Sequence, residues 1–315
     1  MFDLKGKKIW VAGHSGMVGS ALVRRLAAED CELLLVDHRD LDLRCQDATN
    51  AWMSAMKPDV IFIAAAKVGG IAVNASQPGQ FFYDNMMIEA NIIEQARRLE
   101  TEKLMLLGSS CIYPRACTQP MTEDSLFKGE LEPTNVGYAV AKIAGVTMCQ
   151  TYAQQYGCNF ISALPTNLYG VGDNFDPLSS HVVSAMIRKV YEAKQSGGRV
   201  EIWGTGRARR EFMYVDDAAD GLVFLMKYYD QPDVINVAGG QEVSITQLYD
   251  LVCDVVGYKN EPVYLTDKPD GMPRKLLSSD KIANFGWRPS LHLSDGLAKT
   301  YDWFLQTSAI GTGGK

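Results

Sequence analysis

A five-residue apolar run followed at once by three evenly spaced glycines constrains this chain more than any other feature. Lys8-Ile9-Trp10-Val11-Ala12 reads as a buried strand, Gly13-His14-Ser15-Gly16-Met17-Val18-Gly19 as a tight loop, and Ser20-Ala21-Leu22-Val23-Arg24-Arg25-Leu26 as an amphipathic helix. In a strand–loop–helix unit, Gly13 permits the turn. Gly16 lets a pyrophosphate approach the backbone at the helix N-terminus, and Gly19 lets helix and strand pack closely. The spacing is GxxGxxG, one residue wider than the usual dinucleotide fingerprint. The loop, with Met17 and Val18 between its glycines, is a candidate cofactor cradle.

The pattern then repeats. Glu32-Leu33-Leu34-Leu35-Val36 is a second strand, and it ends at Asp37-His38-Arg39-Asp40, where an adenosine ribose is read. An acidic residue there accepts bonds from both ribose hydroxyls, whereas an arginine pairs with a 2′-phosphate. Asp37 and Arg39 pull in opposite directions. Asp42 and Leu43 follow, then a helix over 50–56 and an apolar strand over 58–66 that ends in Ala64, Ala65 and Ala66. A helix over 84–99 leads to a strand over 103–108, which ends at Ser109 and Ser110. Strand and helix alternate, so the fold class expected is α/β, a doubly wound parallel sheet of Rossmann type, with ligands at the strands' C-terminal ends.

Tyr138 and Lys142 lie one helical turn apart on one face. An ammonium beside a phenol favours the phenolate and lowers its pKa. With Ser109 close by, the three form a candidate hydroxyl relay. The second half mixes short strands and helices: strands at 160–164, 200–204, 234–238 and 263–265, a basic loop at 205–210, and helices starting near Ser180, Phe212, Ser244 and Ser294. The length of 315 residues suits two lobes. The division expected is a dinucleotide-binding domain over 1–170, joined by 211–240, and an interleaved α+β substrate lobe over 171–210 and 241–308, with 309–315 a disordered tail. A net charge of −6 offers no global surface for nucleic acid. Seven cysteines without paired spacing point to a reducing, cytoplasmic setting, and no Cys/His cluster suggests a metal. No run is long and apolar enough for a membrane span.

These residues together resemble the extended short-chain dehydrogenase/reductases that act on nucleotide sugars. The resemblance is carried by the glycine loop, Ser109 and Tyr138-x-x-x-Lys142. Further phrases extend it: Ala64-Ala65-Ala66-Lys67-Val68-Gly69-Gly70-Ile71, Gly108-Ser109-Ser110-Cys111-Ile112-Tyr113-Pro114, Leu131-Glu132-Pro133-Thr134-Asn135, Pro165-Thr166-Asn167-Leu168-Tyr169-Gly170 and Lys268-Pro269-Asp270-Gly271. It covers almost the whole chain.

The resemblance implies a GDP-linked 4-keto-6-deoxy-D-mannose as substrate. It implies 3,5-epimerisation by Cys111 and His181, then NADPH-dependent reduction at C4. In that reading Tyr138 donates the proton, Lys142 tunes it, and Ser109 orients the C4 oxygen. The cofactor contacts implied are the glycine loop, Arg39, Asp42, Leu43, Ala64, Ala65, Ala66, Tyr138, Lys142, Pro165, Asn167, Leu168 and His181. Those to the GDP-sugar are Ser110, Asn167, Lys189, Trp203, Arg210 and Lys275. Lys189 stands where relatives often have Arg, Ser15 where they often have Arg, and Asp37 is unusual in an NADP-preferring member. The expected cofactor is NADP(H), with NAD(H) left open. The implied assembly is a homodimer through 84–99 and 140–155. The same scaffold supports other reactions, those of a nucleotide-sugar 4,6-dehydratase or 4-epimerase. A 4,6-dehydratase would normally show Asp-Glu after the catalytic hydroxyl, where this chain has Ser110-Cys111. A non-catalytic cofactor-binding sensor would show a broken Ser/Tyr/Lys set. A 3-deoxy sugar substrate of the colitose type stays open.

Overall fold

The computed structural model describes residues 1–177 and 179–312. Six parallel strands form the main sheet: β1 (Lys8–Ala12), β2 (Glu32–Leu34), β3 (Val60–Ile63), β4 (Lys103–Leu107), β5 (Phe160–Pro165) and, after a detour through the second lobe, β9 (Ile235–Val237). Their order is β2-β1-β3-β4-β5-β9, so the chain reverses direction across the sheet between β1 and β3. That switch point is where a doubly wound sheet opens a crevice at the strands' C-terminal ends.

The strands read as continuous apolar runs because both faces are covered. Alternate side chains enter different cores. Ile9, Val11, Met105 and Leu107 join the core under α1 (Met17–Leu26) and α7 (Val215–Tyr228). Trp10, Ala12, Leu104 and Leu106 join the core under α2 (Gln46–Met56), α4 (Pro78–Arg98) and α5 (Val136–Tyr156). A short helix, α3 (Ile71–Ser76), precedes α4.

The second lobe has its own core. Helices α6 (Val182–Ser196), α8 (Ile245–Val256) and α10 (Leu293–Thr312) pack there. So does a sheet in which β8 (Arg209–Tyr214) pairs with β6 (Asn167–Tyr169), β10 (Glu242–Ser244) and β12 (Arg274–Lys275). Strands β7 (Glu201–Trp203) and β11 (Val263–Leu265) pair beside it, and α9 (Asp280–Asn284) returns to the main sheet. Ser244 and Gln247 close a reciprocal capping box at the start of α8.

Several expected boundaries move. The segment read as a helix from Phe212 is strand β8 up to Tyr214, and the helix begins at Val215. Ladder partners on both sides of β8 outweigh its local helical pattern. Arg209 and Arg210, expected in a loop, therefore lie on a strand. Helix α4 starts at Pro78, not 84, because proline is well suited to a first turn. The last helix runs on to Thr312, and of the tail expected over 309–315, residues 313–315 lie outside the described residues.

Candidate active site

The glycine loop is built by close packing. Gly13 has φ +84°, and a Cβ there would lie 2.6 Å from Ala65 Cα. A Cβ on Gly19 would lie 2.0 Å from Gly13 O. The loop after β1 is thus clamped against the Ala64–Ala65 backbone after β3, at the switch point. Gly16 caps α1, and its N–H donates to Gly13 O at 3.1 Å. A Cβ on Gly16 would meet protein only at 3.5 Å, an ordinary contact. Packing does not require a glycine there, so the open side of the loop fits the close approach of a pyrophosphate. Met17 and Val18 form the first turn of α1. His14 Nε2 lies 3.8 Å from the Asp37 carboxylate, beside exposed Arg39. Asp42 is held by Arg44 at 2.7 Å, which brings its carboxyl down to about 2. The Leu43 carbonyl accepts from Asn91 Nδ2 at 2.9 Å. Ala66 leads from β3 into Lys67, whose backbone is pinned by the Asn85 side chain. Pro165 ends β5, and Leu168 lies on β6.

One turn apart on α5, Lys142 Nζ stands 6.0 Å from the centre of the Tyr138 ring. The ammonium is buried. It pairs with Glu89 on α4 at 2.8 Å and donates to Leu107 O, at the end of β4, at 2.9 Å. Burial alone would push Lys142 down, but Glu89 and Tyr138 outweigh it and the group ends above its ordinary value. Burial pushes the Glu89 carboxyl up, with Lys142 opposing. The expectation that Lys142 lowers the Tyr138 phenol holds for its own contribution and fails for the sum. Burial is the larger effect, and the phenol ends raised. A phenol that keeps its proton is the form able to donate one.

Ser109 caps the short turn after β4. Its hydroxyl accepts from the Cys111 N–H at 3.2 Å, and Ser110 behind it is buried. Half-buried Cys111 receives Lys275 Nζ from β12 at 3.3 Å. Burial would push this thiol up, but the Lys275 charge and hydrogen bonds from Ser109, Lys275 and Asn135 bring it below its ordinary value. His181 is exposed at the N-cap of α6 and makes no hydrogen bond with Cys111 among the described residues. Its loop backs onto the loop after β3, since a Cβ on Gly70 would touch Ser180 O at 3.5 Å. The contact brings the backbone before His181 against the loop after β3, which neighbours β4 in the sheet. Burial pushes the Asp173 carboxyl up, with His181 drawing it down.

The substrate-lobe residues cluster. Arg210 is half-buried on β8. Burial lowers its pKa, and among the described residues no carboxylate lies within ion-pair reach of it. A Cβ on Gly271 would lie 3.6 Å from Arg210 Nη2. Asp270 accepts from Thr205 N at 2.6 Å, locking the loop after Trp203, which is 63% exposed. Lys189 donates to Glu201 O at 3.1 Å, on the same strand as Trp203. The Asn167 amide donates to Glu211 O at 2.8 Å, which ties β6 to β8. Glu89 and Asn135 were not anticipated as site residues. The only sequence sign of Glu89 is a row of polar residues (Asp84, Asn85, Glu89, Asn91) on what proves to be the buried face of α4.

Comparison with known proteins fits this geometry. The NAD dependent epimerase/dehydratase family matches residues 9–238. A GDP-L-fucose synthase of Sinorhizobium fredii is 53% identical over 310 residues, 98% of this chain and 99% of its own length. One from Escherichia coli is 44% identical, covering 95% of this chain and 97% of its own. The crystal structure of a GDP-L-fucose synthetase from Naegleria fowleri bound to NADP superposes with a TM-score of 0.91 at 27% identity, covering 98% and 97% of the two chains. Matching so much of its length, the chain belongs to the NAD dependent epimerase/dehydratase family and, within it, to the GDP-L-fucose synthases.

Proposed function

We propose that the protein epimerises GDP-4-keto-6-deoxy-D-mannose at C3 and C5 and then reduces C4, forming GDP-L-fucose with NADPH as reductant. The observation that carries this reading is a pair of proton-handling groups each set beside its own cation: the Cys111 thiol 3.3 Å from Lys275 Nζ, which draws it low, and the buried Tyr138 phenol, its ring centre 6.0 Å from Lys142 Nζ, which burial holds high. Protons at C3 and C5 are acidic because each adjoins the carbonyl. Cys111 as thiolate takes one of these protons, and His181 returns one on the opposite face. Tyr138 then protonates the C4 oxygen while Ser109 orients it. Bound NADPH supplies the hydride, and Lys142, fixed by Glu89 and Leu107 O, holds the nicotinamide ribose.

Support for NADP(H) comes from the glycine cradle, from Arg39 in the segment after β2 and from the NADP-bound Naegleria structure; Asp37 is the residue that would tolerate NAD(H). Arg210, with no carboxylate in ion-pair reach among the described residues, suits the GDP diphosphate, with Trp203 and Lys189 on the same lobe. The proposed assembly is a homodimer through α4 and α5.

The test is incubation with the keto-sugar and NADPH, following NADPH absorbance and the product sugar. Stoichiometric oxidation with GDP-L-fucose as product is expected. Oxidation that yields an unepimerised 6-deoxy sugar, or no oxidation, would contradict the reading.

A further inference from the structure

We propose that Lys275 is a positioning residue for the epimerising thiol: its ammonium, carried across from the substrate lobe on β12, holds Cys111 as the thiolate that withdraws the carbon-bound proton. The argument begins with strand geometry. Arg274 and Lys275 are adjacent on β12, which runs parallel to β8 with Arg274 opposite Arg209 and Lys275 opposite Arg210. Successive side chains leave a strand on opposite faces. Arg274 and Arg209 turn to one face and share the Glu242 carboxylate, at 2.8 and 2.9 Å. Lys275 is thereby turned to the other face, where its Nζ reaches Cys111 Sγ at 3.3 Å. Among the described residues no carboxylate lies within ion-pair reach of Lys275. Its charge is not spent on an acid, and its hydrogen bond goes to the Cys111 thiol.

The other groups bearing on the thiol come from four directions. Ser109 adjoins it in the same turn, and the Asn135 side chain helps to draw the thiol down. Tyr138 faces it from α5 with Lys142 behind, and Glu89 stands beyond on α4. Lys142 is already committed to Glu89 and Leu107 O. Arg210, opposite Lys275 on β8, donates to Arg209 O at 2.8 Å, whereas Lys275 is in hydrogen-bond contact with the thiol itself. An opposite charge at this range favours the ionised form, and only the thiolate can act as a base.

The proton step balances. The C–H bond at C3 or C5 breaks, its electron pair moves into the enolate ending on O4, and its proton forms the S–H bond at Cys111. The ammonium keeps its own three protons throughout. This departs from the contact with substrate expected of Lys275. The inference rests on the proposed function only for what the thiolate is used for; the charge coupling is a property of the free protein.

The experiment measures the iodoacetamide alkylation rate of the Cys111 peptide against pH by mass spectrometry, in the full-length protein without substrate. Lys275→Met should raise the midpoint by about one to three pH units. Lys275→Arg should leave it near the wild-type value. Exposed Cys45 serves as the internal control and should be unchanged in every variant. Should Lys275→Met fail to fold, Lys275→Gln gives the same reading. An unchanged midpoint in a folded variant overturns the inference and leaves the proposed reaction standing. A shifted midpoint in a protein whose wild type admits no solvent deuterium into the sugar contradicts the proposed reaction instead.

Discussion

Gly13, Gly16 and Gly19 are alike in sequence and distinct in space. A methyl on Gly19 would collide with Gly13 O at 2.0 Å, whereas one on Gly16 meets nothing closer than 3.5 Å. Gly19→Ala should therefore cost about 1–3 kcal/mol of stability, as overpacking does. Gly16→Ala should leave thermal unfolding unchanged and weaken NADPH binding. Calorimetry and fluorescence titration of the two variants decide this; equal melting losses would mean that both glycines serve packing alone. Spacing alone assigned the turn to Gly13 and the close packing to Gly19, as the geometry has them, and the pyrophosphate role of Gly16 is what the titration tests. The partner of Lys142 could not be read that way. Glu89 is distant in sequence and lies on a helix face whose polar composition mimics a solvated one. The Tyr138 phenol went astray for a related reason, because the spacing exposes the neighbouring charge but not the depth of burial.

Among the elements, those with local causes were legible. The main strands carry unbroken apolar runs because helices cover both faces, and the capping box at Ser244 marks the start of α8. Strand β8 was not, since its three ladder partners come from distant stretches. Misreading β8 also hid why Arg210 and Lys275 share a face. Helices α4 and α5 pack side by side, with Gly137 of α5 against Pro78 O and Phe82. Near that junction Phe82, Tyr83, Val136 and Val140 remain exposed. Val136 and Val140 are one turn apart, so they share a stripe. A second copy of this helix pair is the proposed cover. Val140→Asp should shift the protein from dimer to monomer in light scattering coupled to gel filtration. A wild-type protein that is monomeric at micromolar concentration would remove this proposal.

At the scale of the whole molecule, the alternation of strand and helix foretold one lobe well, while the way the lobes meet was hidden. β5 and β6 are separated by a single residue yet belong to different sheets, and the site forms where the two lobes touch. Cys111 comes from one lobe and Lys275 from the other. The central claim is that one cavity runs both, with separable proton donors. The most direct measurement is solvent deuterium entry at C3 and C5 of the keto-sugar in Tyr138→Phe, read by mass spectrometry with NADP+ bound. Deuterium should enter at near the wild-type rate while NADPH oxidation falls by at least about a hundredfold, the usual worth of a general acid. Loss of exchange along with reduction would contradict the account.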